Sequence, residues 1–247
     1  MKQSILFLVC LIWSSFVPSD DIDILLPQYI NGCEIVRHKN YVLCYNEKYE
    51  QANWVCYVLT EQMCTNGQVK RSGNFYSDPL ISTGSALPDD YKLSGYDRGH
   101  LCPAGDMKLS ELSMKESFYM SNVSPQVPSF NRGIWKKLEE QVRVWAVTNK
   151  ELHITVGGIL RDSLPTIGKY NKVTVPDFFY KVIVDNEGVE KKAIGFVIQN
   201  KKLAGSIYNY AMSVDSVEKI TGINFFYGLP DSLETNLEMH YDTLLWK

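Results

Sequence analysis

What this sequence lacks narrows its class before any motif is read. There is no internal repeat and no low-complexity tract, and this sets aside long disordered segments. There is no CxxC pair, so a structural zinc site is not expected. There is no surplus of positive charge: 25 Lys and Arg stand against 28 Asp and Glu, a formal net charge of −3. Nucleic-acid binders are usually basic, so that class survives only if cations gather locally, with "WKKLEEQVR" and "KYNKV" as the linear candidates. Nothing resembles a recognition helix or a zinc finger, so any contact with a nucleic acid would run through phosphates. No clear nucleotide-pocket motif is present. The N-terminal apolar run, Ile5 to Trp13, is too short to span a bilayer comfortably.

What is present suffices for one sizeable core: 247 residues, 45% of them hydrophobic. Lys2, the apolar run and the small and polar residues after it have the layout of a signal peptide. Residues 1–19 are therefore expected to be removed, with cleavage near Val17 to Ser19. Residues 20–247 then form a single domain that is secreted or periplasmic, with no membrane association beyond the signal. A buried N-terminal strand or helix is the other reading of the run. Export would leave five cysteines, Cys33, Cys44, Cys56, Cys64 and Cys102, so at least one is free or intermolecular. Close spacing suggests two local bridges, Cys33–Cys44 and Cys56–Cys64, with Cys102 unpaired. The competing reading makes all five small buried apolar side chains.

Along the chain, Tyr41 to Tyr45 and Trp54 to Thr60 read as a strand hairpin. "PDDYKLSGYDRGH" and "LCPAGDM" are turn-rich and loop-like. "SELSMKESFYM" reads as a short helix and "SNVSPQVPSFNRG" as a structured loop. A long helix follows, since Ile134, Trp135, Leu138, Val142 and Trp145 recur at helical spacing. "ELHITVGGIL" is a strand, and two more flank the turn Asp185-Asn186-Glu187-Gly188. Asp215 to Glu218 has capping-box spacing and predicts a short helix ending near Gly222. The fold class is α+β, with a mainly antiparallel central sheet flanked by helices.

"GYDRGHLCPAGDM" places Asp97, Arg98 and His100 within four positions, in a glycine-bearing segment of the kind that often carries functional side chains. "SNVSPQVPSFNRGIWKKLEE" follows, with Asn131 31 positions after His100. Together these stretches closely resemble the DNA/RNA non-specific endonucleases, the group that includes mitochondrial endonuclease G. The family signature runs Asp-Arg-Gly-His, Ser-Asn-x-x-Pro-Gln, Asn-x-x-x-Trp-x-x-Leu-Glu. All three parts occur here in order, and the likeness extends from about Tyr41 to Leu233. It departs at Cys102, where relatives are expected to carry a small residue such as alanine, so a thiol stands beside the motif.

The resemblance implies a ββα-metal nuclease domain, with a strand pair carrying the histidine and a helix carrying the metal ligand. It implies His100 as general base and Asn131 as the direct magnesium ligand, with manganese as a substitute. Asn122, Gln126 and Glu139 would order water around the metal, with Glu139 counted among the catalytic groups. Arg98 would sit by the scissile phosphate, with Arg143 as a second arginine and Asp97 in support. The substrates would be DNA and RNA. A homodimer is compatible with the sequence, and an inhibitor is not readable from it.

The chemistry agrees independently. Phosphodiester hydrolysis needs a deprotonated water, neutralisation of phosphate charge and help for the leaving oxygen. A neutral imidazole with an ordinary pKa of about 6.5 suits the first task. Magnesium takes oxygen ligands and keeps several waters, so one asparagine carbonyl is adequate. On a regular helix Asn131, Trp135 and Glu139 would share a broad face. Taken singly, Asn131 also fits a helix N-cap, Glu139 a solvated helix charge, and Asn122 and Gln126 loop polar groups. Two other functions use the same residues: a metal phosphodiesterase acting on small phosphoesters, and a non-catalytic nuclease-like binding domain.

Overall fold

The computed structural model describes residues 20–187 and 190–247. The expected signal segment, residues 1–19, lies outside the described residues, as does Gly188 of the expected 185–188 turn. The strands are β1 Glu34–Arg37, β2 Val42–Asn46, β3 Gln51–Thr60, β4 Asp97–His100, β5 Val123–Gln126, β6 Glu151–Gly158, β7 Thr166–Ile167, β8 Val173–Thr174, β9 Phe178–Asp185, β10 Lys192–Gln199 and β11 Ala211–Met212. The helices are α1 Asp20–Asp23, α2 Glu61–Thr65, α3 Glu111–Ser117, α4 Pro128–Phe130, α5 Lys136–Asn149, α6 Val214–Thr221 and α7 Asp231–Met239.

A seven-stranded sheet runs in the order β1-β2-β3-β6-β9-β10-β11. Its neighbours pair antiparallel throughout. Both faces are covered: β3 reads as a nearly unbroken apolar run, whereas β6 alternates Leu152, Ile154 and Val156 with His153 and Thr155 although both of its faces are buried. In β3, Val55, Tyr57 and Leu59 enter one core layer while Trp54 and Cys56 enter the other. Helix α5 packs on the first layer through Leu138, Val142 and Trp145, as the helical spacing predicts. Helices α6 and α7 cover the second layer through Val214, Val217 and Leu237.

Strand alternation also decides the cysteines. Cys33 and Cys44 form a disulfide across the β1–β2 region, as expected. The expected Cys56–Cys64 bridge is absent, and both thiols are free. Cys56 faces the α6 layer, whereas Cys64, on α2, packs against the α5 layer on the other side of the sheet. Cys102 is free and buried.

Three local expectations are corrected. The local pattern of Asp97 to His100 reads as loop, but it is a strand, paired antiparallel with β5 from the other loop-like segment: the strand pair carrying the histidine that the family resemblance implies. Glycine and proline disguised this two-stranded ribbon, yet both have positional reasons. A Cβ on Gly99 would lie 2.2 Å from the Gln126 side chain that crosses it. Pro125 is tolerated because each strand of a lone ribbon has one free edge. The cap of helix α6 stands two residues before the predicted one: Ser213 caps it by accepting from the Ser216 N–H, and Asp215 lies in the first turn.

Candidate active site

The ribbon β4–β5 and the start of α5 meet at a cleft of about 480 Å³. Its walls include Arg71, Arg98, His100, Asn131, Arg132, Lys136, Glu139 and Arg143. Five cations and one carboxylate thus line one cavity in a chain whose formal net charge is −3. They come from a loop, a strand and a helix, which is why the linear charge pattern concealed the patch. Of the two linear candidates, "WKKLEEQVR" supplies Lys136 and Arg143 to the cleft and "KYNKV" supplies none, whereas Arg71 and Arg132 were not singled out by sequence. Arg132 and Lys136 flank residues of the motif, but nothing local marks Arg71.

His100 is 8% exposed and its ring is edge-on to Phe118, with centroids 4.8 Å apart. Phe75 lies against it at 5.3 Å. Its Nε2 is buried with no hydrogen-bond partner among the described residues. Burial and the nearby Arg71 charge push its pKa down to about 3, so the ring is neutral across the ordinary pH range. Arg98, two residues earlier on the same strand, is anchored by donating to the Pro88 carbonyl at 2.9 Å and by lying 5.3 Å over the Phe75 ring.

Asn131 begins a π-helical segment, Asn131–Trp135, broken at Gly133 with φ −107° and ψ −111°. That break replaces the regular helical spacing expected between Asn131 and Glu139. The Asn131 amide nitrogen donates to Asp97 at 2.9 Å. Arg132 donates to both oxygens of the same carboxylate, at 2.8 and 2.6 Å. Asp97 therefore dictates the amide's orientation: with Nδ2 turned to the acid, Oδ1 is left for the cleft.

Glu139 rests on a buried charged floor. Lys181 lies on the β9 face between the core residues Phe179 and Ile183, fully buried, with its ammonium 5.0 Å over the Trp135 ring. Asp106, 1% exposed, accepts from Arg143 at 2.8 Å and from the Tyr57 hydroxyl at 3.1 Å. Burial raises the Glu139 pKa, Lys181 opposes that, Asp106 adds to it and Arg143 and Arg71 oppose it, with a net rise to about 7. Burial also raises the Cys102 thiol far above its ordinary range, so the thiol beside the motif is an inert core group rather than a nucleophile.

Asn122 and Gln126 part company. The Asn122 carbonyl oxygen accepts from the Cys102 N–H at 2.8 Å, and its amide donates to the carbonyls of Cys102 and Ser117 at 2.9 and 2.8 Å. It braces the backbone behind His100 and does not line the cleft. Gln126 is fully buried against Gly99, and neither its amide nitrogen nor its oxygen has a partner among the described residues.

The donor set suits a hard divalent cation. The Asn131 amide and the Glu139 carboxylate both line the cleft and offer oxygen ligands that leave room for waters, whereas Gln126, like Asn122, is not among the cleft walls.

Comparison with known proteins agrees with this geometry. A family model described as DNA/RNA non-specific endonuclease matches residues 27–232. A nuclease of Nostoc sp. is 31% identical over 214 residues, covering 82% of this chain and 76% of the relative. Nuclease C1 of Cunninghamella echinulata is 33% identical over 208 residues, covering 78% and 82%. Among solved structures, the crystal structure of the EndoG/EndoGI complex matches with a TM-score of 0.77 at 31% identity, covering 87% of this chain and 95% of that one.

Proposed function

The chain belongs to the DNA/RNA non-specific endonuclease family, metal-dependent nucleases with an α+β ββα-metal fold, and from that premise we propose an exported magnesium enzyme in which His100 is the general base and Asn131 the metal ligand. The observation that carries this reading is the convergence of a neutral buried imidazole and an amide oxygen oriented by Asp97 on one cation-lined cleft.

The roles follow from the contacts. His100 accepts the proton of the attacking water: burial and Arg71 keep the accepting form available at the cost of basicity, and the negative charge of a bound phosphate would raise that basicity again. Arg98, held by Pro88 and Phe75, presents a fixed positive charge to the scissile phosphate. Asp97 orients Asn131 and Arg132 together. Asn131 Oδ1 would hold magnesium, or manganese in its place, with Glu139 ordering surrounding water and Gln126 packing against Gly99 of the ribbon. The metal, when bound, would neutralise phosphate charge and assist departure of the leaving oxygen. Arg71, Lys136 and Arg143 extend the phosphate track, so cleavage is independent of strict sequence and weakens as salt rises.

Export of a single domain, residues 20–247, is supported by the Cys33–Cys44 bridge, since disulfides persist in oxidising compartments. No helix among the described residues is long and apolar enough to cross a membrane. The test is incubation with supercoiled DNA, RNA and a small chromogenic diester, with magnesium or with a chelator. Magnesium-dependent loss of both polymers supports the reading. Turnover of the diester alone points to a small-molecule phosphodiesterase, and binding without cleavage to a non-catalytic domain.

A further inference from the structure

A second group of acids lies on the sheet face opposite the cleft, where α6 meets α7. Asp215 and Glu218 project from α6 and Glu238 from α7, and one ligand oxygen from each lies within 4.8 Å of the others. Glu238 is 7% exposed, yet its Oε1 is buried with no hydrogen-bond donor among the described residues. Leaving a buried carboxylate oxygen undonated is costly, and crowding it with like charges is more so. Glu234 on the same helix adds to the negative field at Glu238. Among the described residues the cation paired with the group is Lys219, which sits 3.9 Å from Asp215 with its side chain 77% exposed. Glu218 is fixed from behind, because its Oε1 accepts the Phe225 N–H at 2.7 Å.

We propose that Asp215, Glu218 and Glu238 form a second divalent-cation site, of the calcium type, that clamps α6 to α7. The donor set is all oxygen and carboxylate-rich. Calcium–oxygen distances of about 2.3–2.6 Å let ligands on one ion lie up to about 5 Å apart, whereas magnesium at about 2.0–2.1 Å would draw them closer. The ion would supply the partner that Glu238 Oε1 lacks and cancel the repulsion among the acids. Val214, Val217 and Leu237 pack these helices into the core layer away from α5, so the ion would act on stability and leave the chemistry alone.

The test compares thermal melting at pH 7 in chelator and in about 1 mM calcium, the upper end of the Kd range of extracellular calcium modules. The proteins are the full chain, Asp215→Asn, and the double variant Glu218→Gln/Glu238→Gln. All three keep the cleft, so any calcium effect there is common to them. The wild type is expected to gain about 3–5 °C over the double variant, for a site with a Kd of about 0.1 mM. Asp215→Asn should need about tenfold more calcium, the loss of one charged ligand costing roughly one decade in affinity. The double variant should gain nothing beyond the shared response, and in chelator it should melt no lower than wild type, because like charges have been removed. Calorimetric titration should show one calcium equivalent lost in the double variant. Should that variant fail to fold, the partly exposed Asp215→Asn carries the comparison alone. Equal calcium responses in wild type and Asp215→Asn, or no response in either, would overturn the proposal and leave Glu218 and Glu238 as a carboxyl pair sharing a proton.

Discussion

His38 and His100 are equally buried, each 8% exposed, and the fold drives them in opposite directions. Burial alone lowers a histidine pKa. At His38 that effect is overcome by Asp78, which accepts from Nε2 at 2.9 Å, and by Glu116 near Nδ1, and the pKa rises to about 9. At His100 no acid answers: burial and Arg71 act together and the pKa falls to about 3. His38 is thus a fixed cation tying β1 to two carboxylates. His100 is a permanently neutral base facing a cleft of cations. Burial does not distinguish a structural histidine from a reactive one. The charges brought to it do.

The comparison can be broken by exchanging what each residue is needed for, beginning with the largest effect. His100→Ala should lose roughly a hundred- to ten-thousand-fold in turnover while folding and binding nucleic acid normally, the usual loss for a general base. His38→Ala should do the reverse. It leaves Asp78 buried without its cation, so urea denaturation should show a loss of about 3 kcal/mol, with the turnover of the folded fraction unchanged. Comparable turnover losses in both would erase the distinction.

The same hairpin region carries the Cys33–Cys44 bridge, whose cysteines are 11 residues apart. Reduction should cost roughly 2–3 kcal/mol of stability by freeing that short loop in the unfolded chain. Turnover measured below the melting transition should not change. Loss of activity without loss of stability on reduction would tie this region to the chemistry after all.

The pH dependence sharpens the contrast with smaller effects. A histidine raised in the folded state contributes stability below its unfolded pKa of about 6.5 and loses it as pH climbs. His38 should lose its share between there and about 9. A depressed histidine contributes stability above about 6.5 and loses it as pH falls. His100 should lose its share on the way down to about 3. His38→Gln should therefore flatten the alkaline side of the stability profile and His100→Gln the acid side. Identical slopes in both variants would contradict the assigned environments.

How much of this was legible follows the sequence distance over which each feature is built. His100 stands inside a compact motif, and α5 announces itself because each apolar contact recurs every turn. His38 gives no local signal, since Asp78 lies 40 positions away and Glu116 farther still. The strand character of β4 and β5 was legible only through the family resemblance, because in the local pattern Gly99 and Pro125 resemble punctuation until Gln126 is seen crossing Gly99. Asn131 and Asp97 were both visible, but their hydrogen bond spans 34 positions and turns two candidates into one unit. The basic cleft was invisible in the net charge because acids gather elsewhere, notably at Asp215, Glu218 and Glu238.

The central claim is that His100 handles the proton and Asn131 holds the metal. Magnesium titrations of turnover for wild type, His100→Ala and Asn131→Ala test it most directly. The account predicts that His100→Ala keeps the wild-type magnesium midpoint at a greatly lowered plateau. Asn131→Ala should shift the midpoint upward by about tenfold or more, as expected for loss of a metal ligand, and recover part of its rate at high magnesium. A raised midpoint in His100→Ala together with an unchanged one in Asn131→Ala would contradict it.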